Sequence, residues 1–561
     1  MSLPGRAVIL SNRILRLGIV YFLMAGLSLL IYYSPGMIKV PFHDSDETAL
    51  VIGDRLINQE EVVLEKDEIL LPLPTVKQHL DKHIFWDKEK NKVIVTTRDK
   101  FIRMKTASLT AYINSQEVKL DVPVSQISGL IYIPIRFLAP LYGITVKYLP
   151  ETKIVVIDRA DEEIIQGIAV KRTRVRTGRS VRKPFVDYLQ AGEKVLIFGS
   201  EDGWFRIRTL RGITGYVKKN NIRVEDRVSV ELPPKETPLN EIPPGKINLT
   251  WEHVINKHPD PSTIGQLPGV NVVSPTWFYL ADGEGNVSNK GDLNYVNWAH
   301  RRGYQVWALF SNAFDPERTH KVLADSDLRE KVIKQLLIYS RLYQLDGINI
   351  DFENVYLKDK ALLVQFVREL SALLHAEGLT VSIDVTVKSS SANYSRVYDR
   401  RLLAEAVDYV ILMGYDEHWA GSPEAGSVAS LPWVEKGIVG VLEEVPAEKL
   451  ILGVPFYTRL WVEKLGEEGI LEVSSKALSM TEAEAIIRRN RAKVVFDEAA
   501  GQHYATFRQG DTIYEIWLEN EISMRQRVQL VKKYGLAGIA SWRRGFEKPV
   551  IWEIINEELN E

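Results

Sequence analysis

Cysteine is absent from all 561 residues. Without a thiol there are no disulfides, thiolate zinc sites or cysteine nucleophiles, and the composition suits an exported protein that is not stapled by disulfides. Net charge is almost absent as well: Lys+Arg 71 against Asp+Glu 73 leaves -2, so no overall basic field argues for nucleic acid as a partner. No HExxH, EF-hand loop, Walker A or GxSxG string occurs, which removes the common metalloprotease, calcium, nucleotide and serine-hydrolase readings. What is present is ordinary for folded protein: 45% hydrophobic and 26% charged residues exclude a disordered or collagen-like chain. The length suggests about four domain-sized units.

Residues 17–38 carry no charge and read GIVYFLMAGLSLLIYY at their centre, enough to cross a hydrocarbon core of about 30 Å as a helix. Arg6, Arg13 and Arg16 precede the run, so the positive-inside rule puts residues 1–16 in the cytoplasm and the bulk outside. A cleaved signal peptide is the other reading. The run is longer than a usual signal core and YYSPGM shows no small-x-small cleavage site, so a retained single-pass anchor in the cell membrane is expected.

Residues 50–160 contain an internal repeat. The stretch from Ile69 aligns without gaps on the stretch from Ile131, with Pro72 matching Pro134, Trp86 matching Tyr148 and Val93 matching Val155. Each copy predicts a strand, a short helix, an aromatic-bearing strand, a charged turn and a β-branched strand. The pattern resembles the copper amine oxidase N-terminal domain. His79 and His83 have no counterparts in the second copy, so no copper site is expected and the unit reads as a spacer or adhesion module. In residues 167–226, short β-branched runs alternate with turns at Gly199, Gly203, Gly212 and Gly215, which predicts a small β-barrel similar to a bacterial SH3-like domain. Lys171, Arg172, Arg174, Arg176, Arg179, Arg182 and Lys183 make this unit locally basic, either as a solvated face or as an attraction for an anionic wall polymer. A proline-rich linker follows at 228–246.

From residue 247 to 561, apolar strands alternate with helix-length amphipathic segments, as a (β/α)8 barrel requires. The expected architecture is therefore multidomain: a C-terminal α/β TIM barrel, preceded by a small α+β repeat domain and an SH3-like β-barrel, with an N-terminal transmembrane helix. The informative string is LDGINIDFENVY. Side chains alternate along a strand, so Asn349, Asp351 and Glu353 share one face while Ile348, Ile350 and Phe352 share the other. Packing gives no reason for an isoleucine-rich strand to end in carboxylates, and the C-terminal end is where barrel enzymes hold their chemistry.

DGINIDFE is similar to the DxxDxDxE signature of glycoside hydrolase family 18 at Asp346, Asp351 and Glu353, with Asn349 in place of the middle aspartate. Met413-Gly414-Tyr415-Asp416, then GVPFYTR at 453–459, then Trp542 follow in the family's order, and the setting looks most like bacterial spore and cell-wall N-acetylglucosaminidases. The resemblance implies substrate-assisted retaining hydrolysis with neither metal nor cofactor. Glu353 would protonate the glycosidic oxygen, and the sugar's 2-acetamido carbonyl would attack. Asp351 and Tyr415 would hold the acetamido group, Asn349 would hydrogen-bond without titrating, and Asp346 would orient the strand end. Asp351 would raise the acid's pKa. Sugar contacts would fall to Trp542, Met413, Asp416, Trp277, Tyr457 and Arg459. All but two of the 12 tryptophans follow residue 250, which suits an aromatic glycan cleft. The expected partner is a GlcNAc-containing glycan, peptidoglycan ahead of chitin oligomers. A lectin-like barrel without turnover is the alternative, and Glu353 argues against it.

Overall fold

The computed structural model describes residues 19–28, 32, 34–44, 46–57, 62–228, 243, 245–466 and 470–560. They form two compact units, one of residues 1–95 with 103–235 and one of 96–102 with 236–561. The expected cytoplasmic tail and most of the 228–246 linker lie outside the described residues, as does part of the expected membrane span. Residues 19–28 of that span are helical, and among the described residues no helix is long and apolar enough to cross a membrane.

In the first unit the repeat folds as its sequence predicts. Copy one runs Glu68–Pro72, helix Leu73–His79, Phe85–Asp87, Lys92–Thr96; copy two runs Leu130–Pro134, helix Ile135–Tyr142, Ile144–Leu149, Ile154–Arg159. The two leading strands pair with each other antiparallel, Tyr132 opposite Pro72 and Pro134 opposite Leu70. Proline at the N-cap stops each strand where its helix begins, and Gly143, at φ 63, ends the second helix in the left-handed conformation that a side chain would disfavour. The Glu68 carboxylate accepts from the backbone N–H groups of Arg136 and Phe137, capping the second copy's helix with a strand residue of the first. The SH3-like region forms a seven-stranded antiparallel sheet from Ile164 to Val228 around Val175, Leu189, Val195, Ile207 and Val217.

The second unit is built on a closed parallel barrel. Its strands are β1 (Ile247–Glu252), β2 (Val272–Pro275), β3 (Gln305–Ser311), β4 (Gly347–Asp351), β5 (Thr380–Thr386), β6 (Tyr409–Met413), β7 (Leu450–Pro455) and β8 (Gly538–Trp542). Each pairs with the next, and β8 returns to β1. Strands β4, β6 and β7 are buried along their whole length, as parallel strands covered on both faces must be. The lower lumen is filled by Ile247, Leu249, Val272, Trp307, Leu309, Ile411 and Ile451, a packed floor rather than a pore.

Two features depart from a regular repeat. After β1 the described residues hold only a 3₁₀ turn, Pro261–Thr263. Between β7 and β8 lies an inserted antiparallel sheet, in the order Leu471–Ser479, Tyr457–Leu465, Thr512–Leu518, Gln502–Gln509, Lys493–Asp497, with helix Met480–Asn490 packed on it. GVPFYTR therefore spans the end of β7 and the first inserted strand, which carries Tyr457 and Arg459 away from the barrel wall.

Candidate active site

Asn349 sits in the lumen with every hydrogen-bonding position used. Its Oδ1 accepts from Trp251 Nε1 at 2.9 Å and Ser274 Oγ at 3.3 Å, and its Nδ2 donates to Ser382 Oγ at 3.1 Å and Asp384 Oδ1 at 2.7 Å. An indole can only donate, so Trp251 fixes which end of the amide faces which partner. Four strands, β1, β2, β4 and β5, are pinned together through this one side chain.

One layer higher, Asp351 ends β4. It is 9% exposed, and its Oδ1 is buried without a hydrogen-bond partner. Burial pushes its carboxyl up to about 7. Glu353 lies just past the strand and is partly exposed, so it is not sealed in the packing. Asn312, directly after β3, holds the Glu353 backbone from both sides: Glu353 N donates to Asn312 Oδ1 at 3.1 Å, and Asn312 Nδ2 donates to Glu353 O at 2.7 Å. Tyr398 Oη donates to the Phe352 carbonyl at 2.8 Å, fixing the next peptide. The Glu353 carboxyl is pushed up to about 9, first by burial and then by the charges of Asp351 and Asp416. The expected contribution of Asp351 is thus present but second to desolvation.

Tyr415 follows β6 and packs on the lumen cluster. Burial and the Asp384 charge, followed by Tyr457, Asp351 and Glu353, hold its phenol well above the usual range, so it remains an O–H donor. Gly414 lets β6 approach β7 here; a Cβ would meet the Gly453 carbonyl at 2.7 Å. Met413, 8% exposed, closes the end of β6. Asp416 is exposed and accepts from Tyr457 Oη at 2.5 Å and Arg459 Nη2 at 3.5 Å, so the inserted sheet reaches back to the loop after β6. Trp542 ends β8, partly exposed, edge-on to Trp251 at 5.7 Å and beside the His253 ring at 5.9 Å.

Two expected residues fall elsewhere. Trp277 is fully buried among Phe278, Tyr295, Tyr343 and His258, so no sugar can stack on it. Asp346 precedes β4 at the opposite end from Glu353, where its Oδ2 accepts from Val306 N at 2.7 Å and meets His300 Nε2 at 2.8 Å. Five residue steps along the strand separate it from Asp351, about 17 Å. It orients the base of β4 and does not reach the reaction centre. Asp384, Asn312 and Tyr398 were not anticipated. Asp384 alone carried a signal, a carboxylate inside the apolar string TVSIDVT.

Residues 279–547 match the family model for glycosyl hydrolases family 18. The match runs along the barrel from just after β2 to just past β8. Residues 51–157 match the copper amine oxidase N-terminal domain, and 171–223 match the bacterial SH3 domain. The chain is 27% identical to the glycosylase YvbX of Bacillus subtilis over 49% of this chain and 80% of that protein. It is 28% identical to the cortical fragment-lytic enzyme of Bacillus subtilis, over 45% of this chain and 58% of that one, so it spans little more than half of that relative. The spore cortex-lytic enzyme SleL of Bacillus cereus shares the fold with TM-score 0.50 and 21% identity over 60% of this chain and 77% of that one. The family 18 match, together with these glycosylase and cortex-lytic relatives, makes the protein a glycoside hydrolase.

The SH3-like domain has a surface feature of its own. Lys171, Arg172, Arg174, Arg176 and Lys218 line a groove of ≈ 520 Å³ with Tyr188 and Trp204. Arg172 stacks over the Tyr188 ring at 4.5 Å. Of the other basic residues in the run, Arg179 pairs with Glu201 and Asp202.

Proposed function

We propose that this glycoside hydrolase cleaves β-1,4 linkages after N-acetylglucosamine in peptidoglycan by substrate-assisted retention. The observation that carries the reading is the pairing of a partly exposed Glu353 held in its acid form with an Asp351 oxygen that is buried and unpartnered. Glu353 donates its proton to the glycosidic oxygen as the bond to the anomeric carbon breaks. The acetamido carbonyl oxygen of the same sugar attacks that carbon, forming a cyclic oxazolinium that water later opens while returning a proton to Glu353. Asp351 accepts the acetamido N–H and Tyr415 donates to its carbonyl oxygen, stabilising charge that appears only in the transition state. Trp542 floors the sugar site. A substrate lacking the N-acetyl group has no nucleophile, which excludes cellulose and starch.

Peptidoglycan is preferred to chitin because the cationic groove of the SH3-like domain suits an anionic wall polymer, and the cortical fragment-lytic relative supports the same setting. In this reading residues 17–38 anchor the chain in the membrane and the barrel works outside it. The test is incubation of the protein with peptidoglycan and with chitin oligomers, beside Glu353→Gln. Hydrolysis in the variant should fall by at least about 100-fold with glycan binding kept. Binding without turnover by the wild type would favour a lectin, and turnover that survives in Glu353→Gln would mean the acid is another residue.

A further inference from the structure

The lumen contains a third carboxyl that the proposed mechanism leaves without a task. Strands β4 and β5 pair in parallel with Asn349 beside Ser382 and Ile350 beside Ile383. The next step of the same register sets Asp351 beside Asp384, on backbones about 4.8 Å apart. Ile350 and Ile383 face the helices, so both aspartates face the lumen. Asp384 is 2% exposed, and its Oδ1 accepts from Asn349 Nδ2. An amide proton can be accepted equally by a carboxylate or by the carbonyl oxygen of a neutral acid, so this bond leaves Oδ2 free to carry a proton.

We propose that Asp384 is a positioning residue of the reaction centre, a neutral acid that keeps the proton Asp351 would otherwise share and so leaves Asp351 ionised to accept the substrate's N–H. The inference rests on the substrate-assisted reading above. The ionisable groups facing Asp384 are Asp351 and Glu353 from β4 and its end, Tyr415 from beyond β6, and Tyr398 from the segment after β5. None of these is a cation. Three carboxyls in one dry compartment cannot all ionise at neutral pH, so protons must be divided among them. Glu353 needs one to act as acid. A second on Asp351 would turn the acceptor into a donor where its unpartnered oxygen has to receive an N–H. Asp384 is the remaining place, and burial together with the charges of Asp351 and Glu353 raises its carboxyl well above the usual range, opposed only by the Asn349 bond. Asn349 itself cannot take the proton.

The experiment compares wild type, Asp384→Asn and Asp384→Ala in the full chain, with Glu353→Gln as the reference for loss of chemistry. Asparagine reproduces a neutral acid: its oxygen accepts from Asn349 and its N–H faces Asp351. Asp384→Asn should therefore keep kcat within about 5-fold and leave the acid limb of the pH profile in place. Asp384→Ala removes the donor to the Asp351 anion and should move that limb up by about one pH unit. Infrared difference spectra at pH 7 give a readout that needs no activity: a protonated-carboxyl C=O band present in wild type should vanish in Asp384→Asn. An unchanged or lowered acid limb in Asp384→Ala, or no band lost in Asp384→Asn, would overturn the inference. If Asp384→Ala does not fold, the infrared comparison still decides. Loss of activity in Glu353→Gln with a silent Asp384→Ala would sink only this inference, whereas an active Glu353→Gln would sink the mechanism beneath it.

Discussion

Glu353→Gln should make the barrel more stable while making it inactive. The wild-type carboxyl is pushed up to about 9 from 4.5. Between those values the folded chain holds a proton that the unfolded chain has released, so raising the pH destabilises the fold; below about 4.5 both states are protonated and the penalty is absent. At pH 7 the penalty is capped at about 3 kcal/mol, from about 1.4 kcal/mol per unit over the interval from 4.5. Partial exposure of Glu353 and proton sharing with Asp351 and Asp384 reduce this to about 1–2 kcal/mol. Glutamine keeps the shape and has nothing to ionise. The barrel's thermal transition should rise by about 2–5 °C at pH 7, the scale for a domain of this size. The gain should be near zero at pH 4.5 and larger at pH 8 than at pH 6. Calorimetry across that range checks it. A gain that is flat with pH, or a loss at pH 8, would refute the claim that burial holds the acid protonated.

Tyr415→Phe removes one donor without changing packing, so kcat should fall about 10- to 1,000-fold with an unchanged melting temperature; a loss seen only in KM would mean the hydroxyl serves ground-state binding. The two tryptophans should separate: Trp277→Ala empties a buried aromatic cluster and should destabilise by about 3–5 kcal/mol, while Trp542→Ala should leave the melting temperature within a few degrees and weaken glycan affinity. Asp346→Ala should lower stability through the lost bonds to Val306 and His300 and leave the pH profile of the remaining activity unmoved. Arg172→Ala with Arg174→Ala should weaken retention on isolated cell walls and flatten its salt dependence, with hydrolysis of short chitin oligomers unchanged.

The repeat and the lumen row were legible because both follow from local periodicity. A constant offset between two matching stretches predicts two copies of one unit, and the period of two puts Asn349, Asp351 and Glu353 on one face whatever surrounds them. The same period marks Asp346 as out of step with that face, and the structure finds it at the other end of the strand. The inserted sheet was not legible. A hairpin such as Tyr457–Leu465 with Leu471–Ser479 presents the same short apolar strings as a strand–helix repeat, and only pairing partners tell them apart. Trp277 failed for a related reason: its exposure is decided by Tyr295 and Tyr343, which arrive from distant helices.

A signature confined to one strand cannot describe a site that four strands build. Asn349 takes its partners from INLTWE on β1, Ser274 on β2 and TVSIDVT on β5, strings that, Asp384 apart, read as barrel wall. Those partners explain how a strand tolerates polar residues in a lumen otherwise floored by Leu249, Leu309, Ile411 and Ile451. Burial in turn does chemical work, since it is desolvation, ahead of any neighbouring charge, that keeps Glu353 an acid at neutral pH. Introducing a charge into that floor, for example Ile411→Lys, should therefore lower the pH at which the acid loses its proton even though no contact with Glu353 is made. A pH profile whose alkaline limb did not move in such a folded variant would locate the control of Glu353 in its immediate neighbours instead.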